Sequence, residues 1–410
     1  MPRPAAPAPP ARTVPPAPGS TAAALRHPVA LVRWFWPAYV TPGRPGRPTT
    51  GEELRWVYAA WLGAFALKML GSSWDVSWHF KWLRDDLAPP HLLNSAGTAV
   101  VVALVVFHSY TGYGVDRRAL RLMQWGIGTF LVAVPIDILN HRVNGLDITS
   151  WSPSHALLYL GTAIMLAGAI RGWWLYAAPG RVRDLVSLGL WLFFVENAVF
   201  PNQHQEYGVL SLRAYEAGAT TAEQQLLDFA AAQGQTPTMF MLPVPSWVHP
   251  AWLLCAGLLS LLVARRVTGL RWTATAITAV YLAYRAVVWL GLVALDFPPS
   301  VLPLALLVGA VCVDLAVTSR LPGWSAAPAT AAAVYLAAWV QDAAGLLPPW
   351  NWSWESIALV LVAFTALWTA VDGVARSRWL AAWREPVEPG RAAPGTAVTG
   401  AVTEGDAPTR

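Results

Sequence analysis

Two stretches of this chain carry carboxylates and imidazoles at a repeated spacing. Residues 74–97 read WDVSWHFKWLRDDLAPPHLLNSAG and residues 136–161 read IDILNHRVNGLDITSWSPSHALLYLG. Each runs Asp, three residues, His, a short loop ending in Pro, a second His, and a Gly six residues later. The members are Asp75, His79, His91 and Gly97 in the first copy, and Asp137, His141, His155 and Gly161 in the second. Asp and His four residues apart share a helix face. Pro89-Pro90 and Ser152-Pro153 are helix starters, which set the second His in the first turn of a returning helix. One carboxylate and two imidazoles can then converge, a donor set that binds Cu, Fe or Zn and leaves positions open for oxygen or substrate. Polar groups that bond to loops at helix ends would explain one copy. They do not explain why spacing, loop Pro and downstream Gly recur together. Asp75, His79, His91, Asp137, His141 and His155 are therefore the candidate metal ligands.

A looser third version follows. Glu196 stands at the end of one apolar run, His204 comes next, and VPSW precedes His249 at the start of another. Six of the eight histidines, all except His27 and His108, then gather at one surface. Glu196, His204 and His249 are candidates to complete the centre, line the path to it or donate protons. Asn140 and Asn144, flanking His141, would orient imidazoles as ligating histidines require. Lys68 precedes Asp75 by seven residues, two turns below it on one face, and is its expected partner when no metal is bound. Arg285 and Asp314 are expected to pair inside the apolar interior.

These residues need a scaffold, and composition names its class. Of the 410 residues 55% are hydrophobic and 12% charged, with 24 Trp, and mean hydropathy is +0.42. Ordinary globular proteins carry about 25% charged residues, and a soluble fold of this size could not cover itself with so few. A soluble enzyme, a DNA-binding domain and a disulfide-stapled module are excluded. The expected fold class is all-α, a polytopic membrane helical bundle with ten spans of roughly 20 residues each. They lie near 56–74, 91–110, 122–140, 154–172, 185–200, 247–264, 272–295, 301–319, 327–345 and 355–375. Connections on the side of the N-terminus hold thirteen arginines, among them Arg117, Arg171, Arg265 and Arg376; the opposite side holds Lys81, Arg84, Arg142 and Arg213. That bias puts both termini in the cytoplasm and the Asp/His sets at the extracytoplasmic face of the cell membrane. The net charge of +5 thus reflects topology, not nucleic-acid binding. Cys255 and Cys312 lie inside apolar runs and form no CxxC motif.

Five regions follow. Residues 1–50 are a Pro/Ala/Arg-rich disordered tail, 51–180 the tandem hairpins with the metal site, and 181–270 the third hairpin with a long extracytoplasmic loop. Residues 271–384 form a four-helix scaffold and 385–410 a second disordered tail. A surface helix is expected around TAEQQLLDFAAAQ in the long loop. Trp74, Trp78, Trp82, Trp151, Trp247, Trp350, Trp352 and Trp354 are expected in an outer aromatic belt, and Trp34, Trp36, Trp173 and Trp174 in an inner one.

The hairpin pattern resembles the metal site in one of the membrane-spanning subunits of particulate methane and ammonia monooxygenases. In that family the pattern is Asp-x3-His-x12-His; here it is Asp75-x3-His79-x11-His91 and Asp137-x3-His141-x13-His155, over some 50 of the 410 residues. The family has one such site per chain and works with two other subunits, whereas this chain has two copies. The resemblance implies copper at the site, with iron or zinc as alternatives, and oxidation of C–H or N–H bonds. The expected function is a membrane-embedded, metal-dependent oxidase or monooxygenase for a small molecule. Its partners would be the lipid bilayer, substrate, oxygen and an electron-donor or partner subunit, with no nucleic acid. Three competing readings stand beside it: a transporter or metal permease, a lipid-linked glycosyltransferase built around an acidic residue such as Asp75, and haem ligation by histidine pairs.

Overall fold

The computed structural model describes residues 51–81, 87–144, 151–206, 215–218, 224–232, 234, 244–297, 301–347, 350–377 and 383. Eleven helices follow one another among them. They are α1 (Gly51–Lys81), α2 (Pro89–Thr111), α3 (Arg117–Asn144), α4 (Pro153–Tyr176), α5 (Arg181–Glu206) and the short α6 (Gln224–Ala232). Then come α7 (Val248–Thr268), α8 (Thr273–Ala294), α9 (Leu304–Thr318), α10 (Gly323–Ala343) and α11 (Trp354–Ala375). No strand occurs among the described residues. The loop helix expected near residue 224 is α6. The expected tails, with His27, Trp34 and Trp36, lie outside the described residues.

Seven helices are long and apolar enough to cross a membrane: α2, α3 as far as Asn140, α4, α5 as far as Asn202, α7, α8 and α11. The other three expected spans are helices that fall short of that measure. α9 has 15 residues. α1 carries Glu52, Glu53, Arg55, Lys68, Asp75 and Lys81, and α10 dilutes its alanines with Ser, Thr, Pro, Gln and Asp. A multi-pass membrane helical bundle therefore stands, with seven spans supported by length and composition.

α5 and α7 form the centre, with 56% of their apolar windows buried against 22% for α2 and α11. Six residues of α7, Leu253–Leu258, adopt π-helical turns. Lipid offers no hydrogen bonds, so backbone groups at helix ends must be satisfied from within. The Ser152 hydroxyl accepts from the His155 amide at the start of α4 (3.3 Å). Asp314 accepts from the Thr275 amide (2.7 Å) and hydroxyl (2.8 Å) at the start of α8, where the helix dipole favours an anion. The Gln341 side chain accepts from the Ala305 amide and donates to the Leu302 carbonyl, closing the start of α9.

Asp314 also corrects an expectation. Its partner is Arg265, at 3.2 Å, and not Arg285. In the antiparallel pair α8–α9, Arg285 lies twelve residues and Asp314 four residues from the shared end. Eight residues of helix separate the two levels by about 12 Å. Arg285 instead donates to the Val301 carbonyl at 2.9 Å. The inner belt is likewise revised. Trp173 and Trp174 are buried in the bundle, the first donating to the Arg183 carbonyl and the second lying under the Arg183 guanidinium.

Candidate functional site

The hairpins α1–α2 and α3–α4 are built on one plan. On α1, the residues at 64, 68, 71, 72 and 75 form a seam against α2, with the 3- and 4-residue steps of a helix face. A Cβ added to Gly97 would meet the Ala64 carbonyl oxygen at 2.7 Å and the Lys68 backbone at 3.1 Å. A Cβ added to Gly161 would meet the Gly126 carbonyl oxygen at 2.8 Å and the Phe130 backbone at 2.7 Å. Ala64 and Gly126 each precede their Asp by eleven residues, and Lys68 and Phe130 by seven. The glycine that recurs after the second His is therefore the point where the two helices of each hairpin touch backbone to backbone. Nothing but a hydrogen fits there.

Above each crossing the carboxylate meets the second imidazole. His91 Nε2 lies 2.8 Å from Asp75 Oδ1, and His155 Nε2 lies 3.4 Å from Asp137 Oδ1. The first pair is the more exposed, at 36% and 29%, against 15% and 18% in the second. In each case the helix-starting Pro does what its position suggests: it opens the returning helix so that His is its third residue. His79 and His141 lie in α1 and α3, one turn beyond each Asp, and their side chains lie outside the described residues, as do those of His204 and Asn144. The structure thus joins two members of each expected ligand set. Among the described residues no group of three or more His, Cys, Asp or Glu converges on a point.

The donor chemistry fits a cation. Ligand atoms at about 2.0–2.2 Å from a metal stand about 3 Å from one another at tetrahedral or octahedral angles. Separations of 2.8 and 3.4 Å between an imidazole nitrogen and a carboxylate oxygen match that spacing.

No protein-family model matches this chain, and neither does any curated protein or solved structure.

The two hairpins also meet each other. The Lys68 ammonium sits over the Phe130 ring, 3.9 Å from its centroid. These two residues are equivalent under the 62-residue offset, and equivalent residues touch where a local two-fold axis passes between them. Both diagonal helix pairs are joined as such an axis requires. Tyr58 of α1 packs on Trp173 of α4 with centroids 5.0 Å apart, and Gln124 of α3 donates to Ser109 of α2 at 2.9 Å.

Lys68 does not pair with Asp75. Its ammonium donates to Asn94 Oδ1 (2.9 Å) and Thr98 Oγ1 (3.0 Å), both on α2, besides facing Phe130. Asp75 lies two turns further along α1, about 10 Å, where His91 reaches it first. Of the looser third version the structure describes the side chains of Glu196 and His249, while that of His204 lies outside the described residues. Glu196 is buried on α5. His249 is buried at the start of α7, where its backbone carbonyl accepts from Asn202 at 2.9 Å. Among the described residues no hydrogen bond or ion pair links Glu196 to His249.

Asn94, Thr98 and Phe130 carry no signal in the spacing pattern. Their positions relative to Lys68 could have been read only once the hairpin register was known. His108, set aside in the sequence, is fully buried, accepting at Nε2 from the Trp61 indole (2.9 Å) and reaching the Tyr113 carbonyl through Nδ1 (2.8 Å). With Nε2 accepting, the proton resides on Nδ1. Both ring nitrogens are occupied, and the residue is structural.

Proposed function

We propose that this protein is a multi-pass membrane metalloprotein whose paired hairpins hold copper, or alternatively iron or zinc, through Asp75, His79 and His91 and through Asp137, His141 and His155. The proposed activity is that of an oxidase or monooxygenase acting on C–H or N–H bonds of a small molecule that reaches the site from the membrane or its outer surface. The reading includes the ten spans, both termini in the cytoplasm, and a site at the extracytoplasmic face of the cell membrane, together with an electron-donor or partner subunit.

One observation carries it: in two hairpins with the same backbone crossing, the same atoms, His Nε2 and Asp Oδ1, meet at metal-donor spacing. A bound copper or iron ion would supply the one-electron steps that activate oxygen. The chain's own contribution is geometric. The glycine crossings hold the helices at backbone contact, the Ser152 hydroxyl fixes the first turn that bears His155, and each carboxylate faces the imidazole nitrogen that would ligate.

Elemental analysis of the detergent-purified full chain tests the reading. Copper or iron should be found in the wild type and lost from the His91→Ala, His155→Ala double variant. Protein without copper, iron or zinc, or with metal content unchanged by the double substitution, would sink it.

A transporter is the second reading, favoured by a separate observation. Lys68, Glu196 and Arg285, on three helices, are buried in the bundle. Ionisable groups at that depth mark ion or substrate paths in membrane proteins. Flux of a solute into vesicles holding the metal-free protein would favour it over oxidation.

A further inference from the structure

One charge stands where the two hairpins meet. The Lys68 ammonium donates to Asn94 Oδ1 at 2.9 Å and to Thr98 Oγ1 at 3.0 Å, and it faces the Phe130 ring, 3.9 Å from the centroid. Two oxygen lone pairs and a π face are three electron-rich partners, and only the protonated amine has three N–H bonds to turn toward them. The geometry therefore holds Lys68 as a cation. All three partners are neutral, and among the described residues no ion pair reaches it, so the charge is held without being cancelled. The side chain is buried, where water screens it little.

The second hairpin has no counterpart to this charge. Phe130 is the equivalent of Lys68, and Leu158, three residues after His155, is the equivalent of Asn94, three residues after His91. One ammonium serves both copies, because it lies against its own equivalent where the local two-fold passes. Lys68 precedes Asp75 by seven residues, and Phe130 precedes Asp137 by seven. The charge thus stands about 10 Å along the helices from the level of either Asp–His pair. At that separation and an effective dielectric constant of about 20, repulsion between unit charges changes an equilibrium constant about tenfold. Repulsion grows with the charge of the ion, so a monovalent cation loses about tenfold in affinity and a divalent one about a hundredfold.

We propose that Lys68 is a specificity-determining residue, a fixed charge on the local two-fold that favours monovalent over divalent cations, Cu(I) over Zn(II), at both Asp–His pairs. The inference rests on the reading of those pairs as metal ligands. Carboxylates by themselves favour the more highly charged ion, and Lys68 opposes that preference without touching the ion. Water screens the first pair more, since it is the more exposed, so the larger share of the effect falls on the second.

Competition against chromophoric chelators reads the affinity of the metal-free, detergent-purified full chain for Cu(I), kept reduced, and for Zn(II), two ions with filled d shells. Lys68→Met should bind Zn(II) about a hundredfold and Cu(I) about tenfold more tightly than the wild type. Thr98→Asp keeps Lys68 and sets a carboxylate against its ammonium. It should tighten both ions in the same order, and it decides the matter if Lys68→Met does not fold. Unchanged affinities, equal changes for the two ions, or weaker binding of both, as a merely structural role predicts, overturn the proposal. Wild-type protein that binds neither ion removes the metal reading and this inference with it, whereas binding indifferent to the charge at Lys68 removes this inference alone.

Discussion

The two ends of the bundle treat carboxylates differently. At the end where α3 and α8 begin, they are matched to arginines: Asp116 takes a two-pronged contact from Arg171 (3.0 and 2.8 Å), Asp314 is paired with Arg265, and Asp372 with Arg266. At the opposite end Asp75 and Asp137 are matched to histidines. A guanidinium keeps its charge and has no lone pair to offer a metal, so pairs of the first kind can only lock helices together. An imidazole can give up its proton and bind a cation with the same nitrogen that faced the carboxylate. One end thus carries pairs that can only lock helices, and the other carries groups with the chemistry to exchange a proton.

The largest contrast should appear in stability. Asp116→Ala leaves the buried Arg171 guanidinium unmatched and should cost about 3–5 kcal/mol in thermal unfolding of the detergent-solubilised protein. Asp75→Asn in metal-free protein should cost about 1 kcal/mol or less, because its pair is part-exposed. Equal losses would erase the distinction between the ends.

Adding copper to metal-free protein should produce the next effect. At a hundredfold excess over the dissociation constant, ligand binding stabilises by about 2.7 kcal/mol. The rise in melting temperature should disappear in the His91→Ala, His155→Ala double variant and persist in Arg266→Ala, which alters only the arginine end.

Smaller still is the cost of disturbing one hairpin crossing. Gly161→Ala forces α3 and α4 apart where a Cβ would meet the Phe130 amide at 2.7 Å, and should cost about 1–3 kcal/mol. Gly128→Ala, on the same α3 but with nothing within 4 Å, should stay within about 0.5 kcal/mol. If metal binding then weakens in the first and not the second, the crossing positions the ligands.

The smallest effect concerns Glu53, in the first turn of α1, which accepts from the Tyr113 hydroxyl at 3.1 Å. Burial raises its carboxyl above the ordinary value of 4.5, against a lowering by that hydrogen bond. An acid raised by folding contributes stability below its unfolded value and loses it as pH rises through the folded one. The melting temperature of Glu53→Gln should therefore fall less than that of the wild type as pH rises just above 4.5.

Much of the hairpin architecture is legible in the sequence, because it rests on short-range rules. Pro89 and Pro153 start their helices as proline does anywhere, and Gly97 and Gly161 recur because a backbone crossing tolerates no side chain. The partners of Lys68 and of Arg285 are not legible there, for a common reason. Each has a carboxylate that looks suitable along the chain, yet the level at which a neighbouring helix offers a partner depends on where antiparallel helices start. Lys68 finds Asn94 and Thr98 before Asp75, and Arg285 lies about 12 Å from the level of Asp314. Trp173 and Trp174 depart from the expected inner belt because helix ends near an interface can still face protein instead of lipid.

Composition and periodicity alone settled the solvent of this chain, its helical class and the duplicated Asp–His–Pro–His–Gly order, because these follow from local propensity and from the cost of charge in hydrocarbon. Which atoms meet was decided by packing. The crossing glycines bring His91 to Asp75 and His155 to Asp137, and a two-fold relation sets Lys68 on Phe130. The physical reason is that contact across helices depends on register and rotation, quantities shared between segments and written in neither one.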